Sequence, residues 1–162
     1  LVEVIGGTKT SPAVMEKVAQ VLRGCRKRVV VQKLELPKPP AGWGNAIQHP
    51  LGGQARLLVD EYKCPIETVD DLIRFGFGRR LTYTANFMRQ DLLGLDFYCN
   101  IAKAAGREPW GPHKERVERG ELGMKSGKGF YDWSGNKAKE FMRDFDLELI
   151  RLLKRDMEKG DI

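Results

Sequence analysis

Only two runs of this sequence read as β-strands, and both fall within the first 36 residues. Residues 1–5 are Leu-Val-Glu-Val-Ile, an apolar run rich in β-branched side chains, and residues 28–36 contain Val29, Val30 and Val31. Such runs, bounded by turn residues, predict buried strands. Between them, Ser11 followed by Pro12 predicts a capped helix over residues 12–22, with Val14, Val18, Val21 and Leu22 at helical spacing and Gly24 ending it. A β-α-β unit this small cannot cover both faces of its own strands and requires a larger sheet. One residue conflicts with the apolar strand. Glu3 lies in its middle, and a buried carboxylate is costly without a partner.

Residues 36–53 break the pattern. They hold Pro37, Pro39, Pro40 and Pro50 together with Gly42, Gly44, Gly52 and Gly53. That density predicts a linker or an irregular helix entry, with the domain boundary at residues 37–40. Beyond it the sequence reads as helix to its end. Helices are predicted over residues 54–62, over 66–73 with Gly76 and Gly78 stopping the second, and over 86–105 with an interruption near Gly94. A charged helix is predicted over 113–120, a glycine-rich loop over 123–131 and an amphipathic helix over 136–158. In that last helix Phe141, Phe145, Leu149, Leu152 and Leu153 form one stripe, read as core or interface packing. The fold class is therefore mainly α, with three parts expected at 1–38, 39–135 and 136–162.

Bulk properties narrow the partners. With 28 basic and 22 acidic residues the net charge is +6, a basic surface without the interleaved aromatics of a nucleic-acid face. No nucleic-acid partner is expected. No window is apolar and long enough to span a bilayer, and acidic residues interrupt the last amphipathic stripe, so no membrane association is expected. The first residues lack the pattern of a signal peptide and lack Met, so residue 1 is not read as a translation start. Cys25, Cys64 and Cys99 are odd in number and widely spaced. They predict neither a zinc site nor a disulfide framework, and a reducing, cytoplasmic location fits.

Three stretches together resemble the L-3-hydroxyacyl-CoA dehydrogenase family, including its 3-hydroxybutyryl-CoA members. The first is Leu1-Val2-Glu3-Val4-Ile5, which in the family follows a His-x-Phe-Asn-Pro segment that this sequence does not contain. The second runs from Ala41 through Gly42, Trp43, Gly44, Asn45, Ala46, Ile47 and Gln48 to His49, and looks like the family's Gly-Phe-x-x-Asn-Arg entry into its helical domain. The third, Gly120-Glu121-Leu122-Gly123-Met124-Lys125-Ser126-Gly127-Lys128-Gly129-Phe130-Tyr131, is similar to the closing Gly-x-Lys-[Thr/Ser]-Gly-x-Gly-Phe-Tyr signature. Gly76-Phe77-Gly78-Arg79-Arg80 and Asp91-Leu92-Leu93-Gly94-Leu95-Asp96 match in order and spacing between them.

The resemblance implies the last β-α-β piece of an NAD-binding Rossmann domain followed by an all-helical domain that binds acyl-CoA and forms a homodimer. No Gly-x-Gly-x-x-Gly fingerprint stands in this sequence, and the loop at 123–129 follows a charged helix rather than a strand. The implied reaction is hydride transfer from the 3-hydroxyl carbon of an L-3-hydroxyacyl-CoA to NAD. A histidine outside this sequence would act as base, and the sequence alone would be inactive. Glu3 matches the carboxylate that orients and stabilises that imidazole; read by itself, it fits an exposed strand end equally well. Asn45 matches a hydrogen-bond donor to the substrate, while an asparagine there also suits a helix N-cap. Lys125 matches a cation beside the nicotinamide ribose or phosphates, although most loop lysines are simply solvated. His49 lies four residues after Asn45 but is not read as a replacement base, and His113, beside Pro112, is read as a surface residue.

Some positions depart from the family pattern. Ala46 stands where arginine is usual, Ala85-Asn86 replaces Gly-Pro, and Gly52-Gly53 replaces helix formers, each internal glycine costing a helix roughly 0.5–1 kcal/mol. They leave two other readings open: a non-catalytic helical dimerisation module, or a dehydrogenase of a small hydroxy acid such as carnitine or gulonate.

Overall fold

A computed structural model describes residues 1–32 and 42–161. The expected boundary at 37–40 lies outside these residues. The chain divides into two compact units, residues 1–69 and 70–162.

The first unit opens with the predicted β-α-β. Strand β1 (Val2–Ile5) pairs in parallel with β2 (Val29–Gln32), Glu3 opposite Val30. Helix α1 (Pro12–Gly24) crosses between them. The Ser11 side chain accepts from the Val14 N–H at 3.3 Å, and Pro12 sits in the first turn, where no amide hydrogen is needed. Met15 and Ala19 turn inward from α1. β1 is not the buried strand its composition predicts. Its first three residues are half-buried and Ile5 is exposed. Composition reports the environment a strand is built for, and among the described residues two strands are too few to supply it.

The glycine- and proline-rich stretch is also different from expectation. Helix α2 runs over Trp43–Asp60, starting eleven residues before the predicted 54 and containing Pro50, Gly52 and Gly53. Pro50 removes one helical hydrogen bond to the Ala46 carbonyl. No residue of α2 is buried, so water can satisfy that carbonyl and the helix continues through the proline.

In the second unit, α3 (Ile66–Asp71), which crosses the division between the units, leads into a wide π-helical segment, Leu72–Phe77, and then α4 (Gly78–Thr84). Gly76 leaves helical geometry (φ −86°, ψ −115°), so the glycines expected to stop a helix instead kink it. Helices α5 (Asn86–Leu93) and α6 (Leu95–Ala104) meet at Gly94, as the interruption predicted. Helix α7 (Gly111–Glu118) packs on α6, and α8 (Lys137–Lys159) packs on α4. The α4–α8 contact is aromatic: Tyr83 lies 5.1 Å from Phe141 and 5.7 Å from Phe145, and Trp133 stands edge-on to Phe141 at 5.1 Å. Arg79 on α4 pairs with the buried Asp156 of α8 at 2.7 Å. No helix among the described residues is long and apolar enough to cross a membrane.

Candidate active site

Glu3 lies one pleat into β1 and its side chain reaches the start of α2. Its Oε1 accepts the Gly44 backbone N–H at 3.0 Å. Its Oε2 lies against Gly42, where a Cβ would come within 2.5 Å. Gly42 also has φ +90°, a conformation that other residues resist, so glycine is required here twice over. The first turn of a helix exposes unpaired N–H groups and the positive end of its dipole. Gly42, the N-cap residue, has no side chain to offer them, and Glu3 supplies a carboxylate from 41 positions away. Among the described residues Oε2 has no hydrogen-bond donor.

Asn45 follows Gly44 on this turn and is exposed. It is inside α2 rather than at its cap, which removes the capping explanation for that residue. His49 is exposed one turn further along the same helix. The structure thus brings Glu3 and the turn bearing Asn45 together within the first unit.

Lys125 belongs to the second unit, on a short 3₁₀ turn, Met124–Ser126. Its Nζ is 2.6 Å from the Asp96 carboxylate, with the lysine side chain 49% exposed. The hydrogen bond and charge of Lys125 hold the Asp96 carboxyl below the usual aspartate range. Ser126 braces the turn, its Oγ accepting from the Leu122 N–H at 2.7 Å and donating to the carbonyl of Gly123 or Lys128.

The loop that carries Lys125 is anchored by a residue to which the sequence reading gave no role. Asp91 is fully buried. Its Oδ1 accepts the Phe130 N–H at 2.9 Å, and its Oδ2 accepts the Tyr131 N–H at 2.9 Å and the Trp133 indole at 2.7 Å. Gly129 packs so closely on Oδ1 that a Cβ would sit 2.2 Å away. The clue was present: Asp91 precedes Leu92, Leu93 and Leu95, and a carboxylate in such a run needs partners, the same reasoning that singled out Glu3.

His113 corrects a second expectation. It is buried, not a surface residue, and its Nε2 lies 2.6 Å from Gln90 Oε1. Tyr98, Trp110 and Phe130 pack around the ring. Burial, and then the nearby Arg116 charge, lower its basicity. The apolar ring face and the partner amide made this core position indistinguishable from a surface histidine beside a proline. Among the described residues no group of His, Cys, Asp or Glu is placed to hold a metal ion.

Residues 43–133 match the family model described as 3-hydroxyacyl-CoA dehydrogenase, C-terminal domain. Among curated proteins, the chain is 28% identical to 3-hydroxyadipyl-CoA dehydrogenase of Escherichia coli, over 85% of this chain and 29% of that protein. It is 32% identical to L-carnitine dehydrogenase of Burkholderia mallei, over 58% of this chain and 28% of the other. Among solved structures, a 3-hydroxyacyl-CoA dehydrogenase of Archaeoglobus fulgidus superposes with a TM-score of 0.76 at 24% identity, covering 94% of this chain and 54% of that one. The chain spans about half the length, or less, of these proteins.

Proposed function

The chain belongs to the family of 3-hydroxyacyl-CoA dehydrogenase C-terminal domains, and from that premise we propose that it forms part of an NAD-dependent dehydrogenase that oxidises an L-3-hydroxyacyl-CoA to the 3-oxoacyl-CoA. The observation that carries the reading is Glu3, whose Oε1 is held by the Gly44 N–H while Oε2 has no donor among the described residues. A carboxylate fixed by one oxygen has a defined orientation, and its other oxygen can accept the N–H of an imidazole. A carboxylate placed behind the ring stabilises the imidazolium formed when a histidine takes the substrate hydroxyl proton. That histidine is supplied from outside these residues. Asn45, exposed on the same turn, donates its amide N–H to the substrate oxygen.

When bound, NAD accepts the hydride. Lys125 fits a contact to it of a particular kind. Its ammonium is already paired with Asp96 at 2.6 Å, so the pair is close to neutral and suits a ribose hydroxyl better than a phosphate charge. The half-exposed ammonium retains donors for that contact.

An acyl-CoA substrate is supported by the family and by the adipyl-CoA relative. The carnitine relative supports a second substrate class, a small hydroxy acid without CoA. The discriminating experiment is NAD reduction by the gene product that carries this chain, with L-3-hydroxybutyryl-CoA and L-carnitine as competing substrates. A kcat/KM at least about tenfold higher for the CoA ester, about 1.4 kcal/mol of transition-state discrimination, supports the proposal. The reverse ranking assigns the small hydroxy acid. Turnover of neither, with a stable dimer, leaves a helical association module. A cytoplasmic enzyme that works as a homodimer through its helical unit completes the proposal.

A further inference from the structure

A cleft of about 500 Å³ opens in the second unit between the π-helical segment, α4, α5 and α8. We propose that it binds a carboxylate bearing a short alkyl chain, the head group taken by Arg80 and Arg89 and the chain laid along Phe145, Leu149, Ile150 and Leu153.

Two imbalances point to such a ligand. The first is charge. Three arginines line the cleft, Arg79, Arg80 and Arg89, and Arg79 alone is neutralised, by Asp156 at 2.7 Å. Asp156 also serves Arg155 at 2.9 Å, so both of its oxygens are already engaged by guanidinium groups. Among the described residues no carboxylate pairs with Arg80 or Arg89. Burial, and then repulsion from the Arg89 charge, lower the basicity of Arg80. A bridging anion relieves this repulsion, and the planar fork of arginine matches a carboxylate.

The second imbalance is apolar. Ile150 and Leu153 are 48% and 42% exposed on α8, on the wall facing those arginines. Inorganic anions leave that wall wet, and a neutral chain leaves the arginines unpaired. An alkyl carboxylate answers both, and the cleft lies within the size range of small-molecule sites. The inference rests on none of the residues assigned to hydride transfer.

Octanoate is a suitable probe, titrated calorimetrically into the intact protein, with acetate, inorganic phosphate and octanol beside it. Octanoate binding in the millimolar range or tighter, at least about tenfold weaker for acetate and octanol, is the expected result. Arg80→Gln with Arg89→Gln abolishes it. Ile150→Asp, at an exposed position that leaves folding intact, weakens octanoate by a similar factor without changing acetate. The proposal is overturned if octanoate fails to bind at about 10 mM, a concentration corresponding to roughly 2.7 kcal/mol. It is also overturned if the variants bind as the parent does or if phosphate binds as well as octanoate.

Discussion

The carboxylate of Asp91 accepts the indole N–H of Trp133 at 2.7 Å across 42 positions of sequence, both side chains buried. This bond and the two backbone amides of Phe130 and Tyr131 join the end of α5 to the loop that presents Lys125. Asp91→Ala removes the shared acceptor of all three donors, the Trp133 indole buried and the two backbone amides part-buried. Each buried unsatisfied group costs about 1–3 kcal/mol, and a loss of at least about 3 kcal/mol in urea unfolding is expected after allowing for non-additivity. Trp133→Phe removes one donor but keeps most of the ring packing, so its loss is smaller, about 1–2 kcal/mol.

Gly129→Ala acts on the same carboxylate by crowding. A Cβ 2.2 Å from Asp91 Oδ1 forces the loop or the aspartate to move. The expected loss is about 1–3 kcal/mol. A double variant with Asp91→Ala should lose less than the sum of the two, which a double-mutant cycle reads directly.

Lys125 and Asp96 are a different kind of pair, half-exposed and screened. Lys125→Met should change stability by less than about 1 kcal/mol. If Lys125 contacts the nicotinamide ribose, the same variant raises the KM for NAD and leaves the KM for the acyl substrate nearly unchanged. Steady-state kinetics with each substrate varied in turn makes the distinction. Equal rises in both would mean that the loop has moved as a whole.

His113 imposes a pH dependence. Burial lowers its folded pKa below the ordinary histidine value near 6.5, so the unfolded chain binds the proton more readily. Stability attributable to His113 is therefore full above about pH 6.5 and declines as pH falls below it, until the folded-state pKa is reached. Thermal unfolding between pH 7.5 and 5.5 should show this decline, and His113→Phe should flatten it, whatever the variant does to stability at pH 7.5.

The parallel β-α-β, the break at Gly94 and the long final helix were legible because each rests on local chemistry. Ser11 before Pro12 is a helix start, and Val29, Val30 and Val31 are a strand in most settings. What failed depended on surroundings. Pro50 and Gly52 have the local chemistry of helix breakers, yet α2 has no buried residue and tolerates them. His113 was read as surface because its partner, Gln90, lies 23 residues away. Asp91 stands within a matched motif, and its place beside Leu92, Leu93 and Leu95 marks a carboxylate that needs partners, but not which ones. Glu3, by contrast, was flagged as a carboxylate needing a partner, and the partner is the Gly44 amide.

That contact separates stability from chemistry. Gly42→Ala places a Cβ against Glu3 at positive φ and should destabilise the first unit by about 1–3 kcal/mol. Glu3→Gln keeps an oxygen for the Gly44 N–H, so folding should change by less than about 1 kcal/mol.

The most direct measurement is therefore kcat for NAD-linked oxidation of L-3-hydroxybutyryl-CoA by the gene product that carries this chain, with and without Glu3→Gln. The account predicts a fall of a hundredfold or more, about 2.7 kcal/mol of lost transition-state stabilisation, at unchanged melting temperature. A variant that folds and turns over at the parental rate contradicts it, and leaves Glu3 as a cap for α2 and nothing more.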